Sequence, residues 1–314
     1  MTIILLMSVK SHAFAEKYLF VSDLDHRYHQ NIVELISSGL EDLDHEIDNI
    51  SYENYDSEAI TPYSSLITIG YRAAVSVIND STDKPVLSLL IPKQVFNLIL
   101  RKSINKDKRY LFSSIYIDQP IKRQINLINE LSDSFRKIGI LYGKNSYSSK
   151  KTITNTIKKS GLEVKNITVL ERTELISETR HLSENSDLLL AVPDSTIYNR
   201  RSIKGILLTT YRNKIPVIGF SRAYVKAGAL AAVYSSAENI SRQAIEIIKH
   251  NTRHAYISAK RFHPKYFEVE INTKVARSLN INLVDKDTII KSLIHLETDT
   301  SSRIPAPKGT ADRG

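Results

Sequence analysis

An aspartate followed by two hydroxyl residues stands where an apolar run ends and a helical pattern begins. The run DLLLAV covers residues 187–192, and Pro193, Asp194, Ser195 and Thr196 follow it. Asp194 or Ser195 could cap the next helix, an ionised Asp194 could bind a ligand amine, or its carboxylate could act in catalysis. Catalysis is disfavoured because the sequence shows no base or nucleophile partner for Asp194. Capping and ligand binding both stay open.

The segment DLDHRYH has the highest density of side chains that could bind a metal ion. It contains Asp23, Asp25, His26 and His29. The segment follows a predicted strand directly, where polar turn residues and helix caps are expected. We therefore predict no metal site here. The nearby HEID (residues 45–48) is interpreted as a solvated loop.

Motifs of catalysis and cofactor binding are missing from the sequence. It has no G-x-S-x-G, H-E-x-x-H or G-x-G-x-x-G pattern and no phosphate-binding loop. It also has no cysteine, which excludes a thiol nucleophile, thiolate metal ligands, disulfides, an iron–sulfur cluster and a lipid-modified cysteine. We predict a protein without enzymatic activity, cofactor or metal.

Composition and charge are those of a globular protein of two domains or one large one. The chain has 314 residues, of which 25% are charged, and its formal net charge is +9. The basic residues are dispersed, as in RKSINKDKR (residues 101–109), which is typical of a solvated surface. We predict no binding to nucleic acid.

The first residues resemble a secretory signal. TIILLMSV (residues 2–9) is a short apolar core, and AFA (residues 13–15) fits a cleavage site before Glu16. The alternative is a buried first strand, since Lys10 interrupts the apolar segment. We predict a signal peptide over residues 1–15 and an exported protein that is neither lipid-anchored nor inserted in a membrane.

Short apolar runs alternate with amphipathic stretches along most of the chain. This pattern predicts βαβ units and mainly parallel sheets, in two successive groups. Strands are predicted at residues 18–22, 65–70, 85–91, 109–117, 137–143, 163–169, 187–192, 216–220, 230–235 and 267–271. Ser235 with Glu238 predicts a capping box, and Asn272 a cap for a short helix. The polar tail at residues 298–314 is expected to be disordered.

Ligands of open α/β sheets bind beyond the carboxyl ends of the strands, where helix amino termini offer free N–H groups. Tyrosines at strand ends could stack on a ligand or pack at the edge of the core. The predicted ligand-binding residues are Gly70, Tyr71, Tyr142, Asn145, Asp194, Ser195, Phe220, Ser221 and Tyr234.

Residues 188–244 resemble the ABC-transporter substrate-binding proteins of the tryptophan/tyrosine-binding type. The resemblance lies in VPDSTIYN, GILLTTYR, IPVIGFSRAYVKAGALAAVYS and ISRQA, in this order and spacing. IDQPIKRQINLINEL followed by KIGILYG, and the late INTKVARSLNI, also fit. The resemblance implies an α/β fold of the type I periplasmic-binding class, with two doubly wound Rossmann-like lobes and a central cleft.

The resemblance also implies a domain division and a function. The first lobe would comprise residues 16–117 and 236–264, and the second residues 118–235 and 265–297. A small polar or amino-acid-like ligand would bind in the cleft and close it by hinge motion. Many relatives have a glycine-rich segment where this chain has RKSINKDKRYLFSS (residues 101–114). The ligand is therefore not identified by the resemblance.

Several functions are compatible with this fold. The resemblance implies a monomeric, periplasmic solute-binding protein that presents its ligand to the membrane permease of an ABC transporter. The alternative is a periplasmic sensor that engages a membrane signalling receptor. An enzyme on the same fold is a third hypothesis, which would require turnover that depends on Asp194. A regulator of the lac-repressor type is disfavoured because no helix-turn-helix precedes the first lobe.

Overall fold

The computed structural model describes residues 16–42, 45–252 and 260–302. The predicted signal peptide lies outside these residues. The strands are β1 (Glu16–Ser22), β2 (His45–Ser51), β3 (Ser65–Ile69), β4 (Val86–Ile91), β5 (Phe112–Tyr116), β6 (Lys137–Tyr142), β7 (Glu163–Thr168), β8 (Leu188–Leu190), β9 (Val217–Gly219), β10 (Ala231–Tyr234), β11 (Arg261–Phe262) and β12 (Glu268–Ile271).

Helices alternate with these strands. They are α1 (Arg27–Leu40), α2 (Tyr71–Asn79), α3 (Lys93–Ser103), α4 (Ile121–Leu131), α5 (Lys150–Lys159), α6 (Leu175–Glu184), α7 (Ile203–Arg212), α8 (Arg222–Ala227), α9 (Ala237–Thr252), α10 (Thr273–Ser278) and α11 (Lys286–Ser302). Within the described residues, no helix combines the length and apolar character that crossing a membrane requires.

The strands form two six-stranded sheets of the same design. The first has the order β11-β5-β4-β3-β1-β2, and the second β12-β10-β9-β8-β6-β7. Neighbouring strands run parallel, except that β12 is antiparallel to β10. The predicted α/β fold with two doubly wound sheets is confirmed. Strands such as VLSLLI in β4 are buried along their whole length, as expected for parallel strands covered on both faces.

Helices cover both faces of each sheet, and we call each sheet with its helices a lobe. In the first lobe, Ile36 of α1 and Ile240 of α9 pack on one face, and Phe96 of α3 packs on the other. In the second lobe, Ile128 of α4 and Leu293 of α11 share one apolar cluster. These side chains are 0–1% exposed, so each sheet has its own buried core.

The chain passes between the lobes three times. Crossover 1 joins β5 to α4 through residues 117–120, and crossover 2 joins β10 to α9 at residues 235–236. Crossover 3 joins β11 in the first sheet to β12 in the second through residues 263–267. The three segments lie side by side, because Gln119 of crossover 1 bonds to Ser235 of crossover 2, and Ser235 bonds to Tyr266 of crossover 3.

Three sequence predictions are wrong in detail. HEID is not a loop but begins β2, which pairs with β1 at the edge of the first sheet. Polar residues are tolerated in an edge strand because one of its sides is not paired with another strand of the sheet. Ser236, not Ser235, accepts the first-turn N–H of Asn239 at the start of α9. Residues 298–302 are helical where disorder was expected, since α11 continues to Ser302.

The cap predicted for the short helix α10 is confirmed. The side chain of Asn272 accepts a hydrogen bond of 3.1 Å from the backbone N–H of Val275. This bond satisfies one of the amide groups that the first turn of a helix leaves without an intrahelical acceptor.

Candidate binding site between the lobes

A cavity of about 120 Å³ lies between the two lobes, next to crossovers 1 and 3. We call it the interlobe cavity. It is lined by Pro92, Lys93, Gln94, Asp118, Gln119, Ile121, Gln124, Asn145, Ser146, Ser149, Thr152, Ile153, Val192, Pro193 and His263. The lining residues follow the carboxyl ends of β4, β5, β6 and β8, the edge of an open α/β sheet where ligands bind.

A bulge at the end of β4 shapes the wall of the first lobe. The pairing of β4 with β5 changes register between Leu89 and Ile91. Leu90 has φ +58°, a left-handed conformation that costs a branched residue free energy. Bulges of this kind redirect the chain next to functional sites. Here the bulge precedes Pro92 and Lys93, which enter the cavity lining.

Lys93 contributes the cationic group of the cavity. Its Nζ lies 3.4 Å from Nε2 of His263 and 5.9 Å from the ring centre of Tyr116. Its backbone N–H donates to the Asp118 carboxylate at 2.7 Å. Asp118 therefore satisfies the first turn of α3, where a negative charge is favourable. The ammonium group of Lys93 stays available for an anionic ligand group.

His263 connects crossover 3 to crossover 1. Its Nδ1 lies 2.9 Å from the carbonyl oxygen of Asp118, so Nδ1 carries the proton and Nε2 accepts from Lys93. Burial lowers the pKa of His263 below its ordinary value. Burial also raises the pKa of Asp118, and the N–H of Lys93 opposes that shift. A neutral His263 orients Lys93 without repelling it.

The wall of the second lobe is uncharged and combines apolar side chains with hydroxyl and amide groups. Asn145 donates from Nδ2 to Oγ of Ser195 at 3.0 Å, and Oγ of Ser149 donates to the carbonyl of Ser146 at 2.6 Å. Ser148 reaches across the cleft to Oε1 of Gln94 at 3.4 Å. The two lobes thus already touch at the rim of the cavity.

Arg123 binds two of the three crossovers through its guanidinium group, and the residue is 3% exposed. It forms a two-bond ion pair with Glu297 of α11 and donates to Oε1 of Gln119 and to the carbonyl of Pro264. The guanidinium carbon lies 4.2 Å from the ring centre of Phe267. Crossovers 1 and 3 and the last helix are therefore joined at Arg123.

Crossover 2 is tied to the same network by Ser235. Nε2 of Gln119 donates to Oγ of Ser235 at 2.9 Å, and Ser235 donates to the carbonyl of Tyr266 at 2.6 Å. Gln119 and Gln124 line the interlobe cavity. We call the hydrogen-bonded group of Glu297, Arg123, Gln119 and Ser235 the hinge network. This network shares Gln119 with the lining of the interlobe cavity.

Asp194 organises two loops of the second lobe. Its Oδ2 accepts from the N–H groups of Gly143 and Ser146 and from the Ser146 hydroxyl, at 2.7–3.1 Å. Its Oδ1 accepts from the N–H and hydroxyl of Thr196 at 2.8 and 2.6 Å. The residue is 4% exposed. Five hydrogen bonds use the accepting capacity of the carboxylate, so loop organisation accounts for the residue.

The helix-capping interpretation of Asp194 is wrong because α7 begins only at Ile203, with Ser202 before it. Residues 195–202 form turns instead of the helix start that their pattern predicted. The backbone carbonyl of Asp194 accepts the N–H of Tyr198 at 2.7 Å, which closes the first of these turns.

The structure separates the remaining predicted site residues. Gly70 and Tyr71 stand at the start of α2, with Tyr71 54% exposed. Tyr142 is 0% exposed within the core of the second lobe, and Tyr234 donates to Glu268 at 3.0 Å. Burial raises the pKa of both tyrosines.

The corner after β9 contains the last two predicted residues. Phe220 belongs to an aromatic group in which its ring centre lies 6.0 Å from that of Tyr198 and 4.4 Å from that of Tyr224. Ser221 precedes α8 without capping it through its side chain. Of the nine predicted ligand-binding residues, Asn145 is the one that lines the interlobe cavity.

Sequence reasoning missed Lys93, Asp118, Gln119, Gln124 and His263. Three of them, Asp118, Gln119 and Gln124, lie in IDQPIKRQINLINEL. This segment was one of those that resemble the family, and it could have pointed to them. Lys93 follows the predicted strand at residues 85–91, so the rule that ligands bind beyond strand ends also points to it. Among the described residues, no group of three or more histidine, aspartate or glutamate side chains is placed to hold a metal ion.

Comparison with known families and structures gives consistent results. The profile of the family described as ABC transporter substrate binding protein matches residues 21–292. No curated protein matches the chain at a significant level. Three solved structures with 16–20% sequence identity share the fold.

The three structures cover most of this chain and nearly all of their own. A conserved domain protein from Vibrio cholerae is 17% identical, covering 88% of this chain and 98% of its own, with a TM-score of 0.59. An ABC domain in complex with L-Trp from Streptococcus pneumoniae is 20% identical, with the same coverages and a TM-score of 0.61. A ligand-free, open substrate-binding protein with adhesive properties from Clostridium difficile is 16% identical, covering 86% and 97%, with a TM-score of 0.68.

Proposed function

The chain belongs to the family of ABC transporter substrate-binding proteins, and from this premise we propose that it captures a small polar or amino-acid-like solute in the interlobe cavity and presents it to the membrane permease of an uptake system. The proposal includes export by the signal at residues 1–15 and action as a soluble periplasmic monomer. The loaded protein would be recognised by the permease through surfaces of both lobes.

The observation that carries the proposal is the composition and position of the cavity. It lies between the lobes and is lined by Lys93 and Gln94 from the first lobe and by Asn145 and Ser149 from the second. A solute that contacts both walls stabilises the arrangement in which they approach each other. Such a site couples capture of the solute to closure about the three crossovers.

The chemistry of the lining favours an anionic or zwitterionic solute with a short apolar part. Lys93 supplies a cation, and Ile121, Ile153 and Val192 supply apolar surface. The Asp118 carboxylate is already bonded to the backbone of Lys93. Binding rather than turnover is proposed because the Asp194 carboxylate is occupied by its own loops.

A calorimetric titration of the chain from Glu16 tests this proposal with amino acids, short carboxylates, phosphate and nucleobases. A solute at about 100 times its Kd would add about 2.7 kcal/mol of stability, which a thermal-shift screen detects first. Lys93→Met should weaken binding of an anionic solute about tenfold or more, because a charge-assisted contact is lost. Lys102→Met, on an exposed position of the same helix, is the matched control.

Two results would contradict the proposal. One is a folded protein that binds no compound of the panel. The other is Lys93→Met binding an anionic solute as tightly as the wild type. Export is tested by mass spectrometry of the periplasmic fraction, where a mature protein beginning at Glu16 is expected.

A further inference from the structure

Gln124 carries a buried amide whose oxygen has no partner in the part of the chain that the structure describes. The residue lies on α4, is 4% exposed and lines the interlobe cavity. Its Oε1 accepts no hydrogen bond from the residues that the structure describes. A buried amide without a partner costs free energy, so native proteins rarely keep one without a reason.

The orientation of the Gln124 amide follows from its neighbour. Its Nε2 donates to the backbone carbonyl of Gln119 at 3.5 Å. A carbonyl oxygen can only accept, so the nitrogen of Gln124 must point toward Gln119 and the oxygen must point away. The unpaired group of this cavity-lining residue is therefore an acceptor.

Gln119 is held in place by groups that leave it no alternative orientation. Arg123 can only donate, so the atom of Gln119 beside it must be Oε1, at 2.6 Å. Nε2 of Gln119 then donates to Ser235, which donates to the carbonyl of Tyr266. The carbonyl that orients Gln124 thus belongs to a residue that the hinge network immobilises.

The cavity therefore offers two different recognition groups on opposite lobes. Lys93 of the first lobe offers a cation, and Gln124 of the second lobe offers a hydrogen-bond acceptor. Ile121 lies one helical turn before Gln124 and lines the same wall. The matching solute carries an anionic group, a hydrogen-bond donor close to it and a small apolar part.

We propose that Gln124 is the specificity-determining residue of the interlobe cavity and selects acids that carry an N–H or O–H donor next to the carboxylate, an α-amino or α-hydroxy acid. This inference rests on the proposed function. An acid without the donor would leave Oε1 of Gln124 unpaired in the complex, as it is among the described residues of the free protein, whereas an acid with the donor gains a hydrogen bond to it. A site that hydrogen-bonds a ligand group discriminates more strongly than a difference in apolar size does.

The test compares acids that share a carbon skeleton and differ in one substituent. Three series serve as probes in calorimetric titrations of the wild-type chain from Glu16: alanine, lactate and propionate; leucine, leucate and isocaproate; phenylalanine, phenyllactate and hydrocinnamate. In at least one series the amino or hydroxy acid should bind about tenfold or more tightly than the unsubstituted acid. The amino and hydroxy members show which donor is preferred.

Two variants locate the effect. Gln124→Met removes the acceptor while keeping similar length, and should abolish the preference for the donor. It also removes the donor to the Gln119 carbonyl, but that bond is long at 3.5 Å, so the melting temperature of the free protein should fall little. Gln94→Met changes another glutamine of the same cavity, one that has a partner in Ser148. It should weaken all members of a series equally and preserve the preference.

The outcomes separate this inference from the proposed function. The role of Gln124 would be overturned if the unsubstituted acids bound as tightly as the amino and hydroxy acids of their series. It would also be overturned if Gln124→Met kept the preference for the donor. Either result would leave solute capture intact. If Gln124→Met fails to fold, its amide is structural, and the inference is overturned as well. If the folded wild type binds no acid of any series, the proposed ligand class and the role of Gln124 fall together.

Discussion

Removing the carboxylate of Glu297 should destabilise the hinge from a distance. Glu297 lies on α11, outside the interlobe cavity, and forms a two-bond ion pair with Arg123. Arg123 is 3% exposed, whereas the side chain of Glu297 is 35% exposed. In Glu297→Gln, the buried guanidinium would keep Gln119 and Pro264 as partners but lose its counter-charge.

The magnitude follows from burial. Breaking one side of a fully buried ion pair costs about 3–5 kcal/mol. Water reaches Glu297, and glutamine can still accept one bond from Arg123, so we expect a loss of about 2 kcal/mol in the free energy of unfolding. For a chain of this order of size, that loss lowers Tm by about 4 °C.

The assay is urea unfolding followed by circular dichroism in a double-mutant cycle. The cycle comprises Arg123→Met, Glu297→Gln and the double variant. The double variant should be less destabilised than the sum of the two by about 1–2 kcal/mol, because neither charge is then left alone. Asp287→Asn, at an exposed position of the same helix, is the control and should be near neutral.

A coupling free energy near zero would refute this reasoning, since it would mean that the ion pair contributes nothing beyond two independent side chains. Equal destabilisation by Asp287→Asn would also refute it, because the loss would then reflect the helix and not the hinge. A solute found in the panel adds a second readout. Its Kd should change in Glu297→Gln, because Gln119 connects Arg123 to the cavity.

Three further predictions concern single residues. Asp194→Asn should lower stability by about 2–3 kcal/mol in urea unfolding, because the three donors to Oδ2 and the two donors to Oδ1 would share one remaining carbonyl oxygen, and should leave the solute Kd unchanged; lost binding at unchanged stability would contradict this. Gly70→Ala should cost about 2–3 kcal/mol, since the position has φ +89° and the new Cβ would stand 2.6 Å from the His29 ring. Gly161→Ala, at φ +77° with open space around it, should cost only about 1 kcal/mol, and equal costs would contradict the steric argument. Burial lowers the pKa of His29 to about 4, so between about pH 6.5 and pH 4 the unfolded chain binds more protons than the folded one. The free energy of unfolding should therefore fall as the pH drops from about 6.5 to about 4. Urea unfolding over this pH range should show a weaker pH dependence in His29→Gln.

The strands were largely predictable because a buried strand needs an apolar run. YLFVS, SLITI and PVLSLLI stand out from their polar surroundings and correspond to β1, β3 and β4. β2 escaped because an edge strand pairs on one side only, so HEIDNIS can be polar. α11 escaped because its apolar residues do not share one face: Ile289 and Leu293 are buried, whereas Ile294 and Leu296 are exposed.

The candidate site was predicted less completely than the fold. Asn145 and the corner at Pro193 follow strand ends, so the general rule for parallel sheets found them. Asp194 was ambiguous because a carboxylate at a corner serves equally as a cap, a ligand contact or a loop anchor. Its hydrogen bonds to Gly143 and Ser146 join residues about fifty positions apart, and no local pattern encodes them.

The amino-acid sequence by itself determined the alternation of strands and helices, the two-lobe α/β fold and the family. Local periodicity and short motifs are properties of neighbouring residues, and the sequence displays them directly. Only the tertiary structure decided which groups face a ligand. Lys93, Gln124 and His263 meet because three crossovers bring two separately wound sheets together. The amide of Gln124 is oriented by the carbonyl of Gln119, and the hinge network holds Gln119 in place. This orientation depends on contacts between distant segments of the chain.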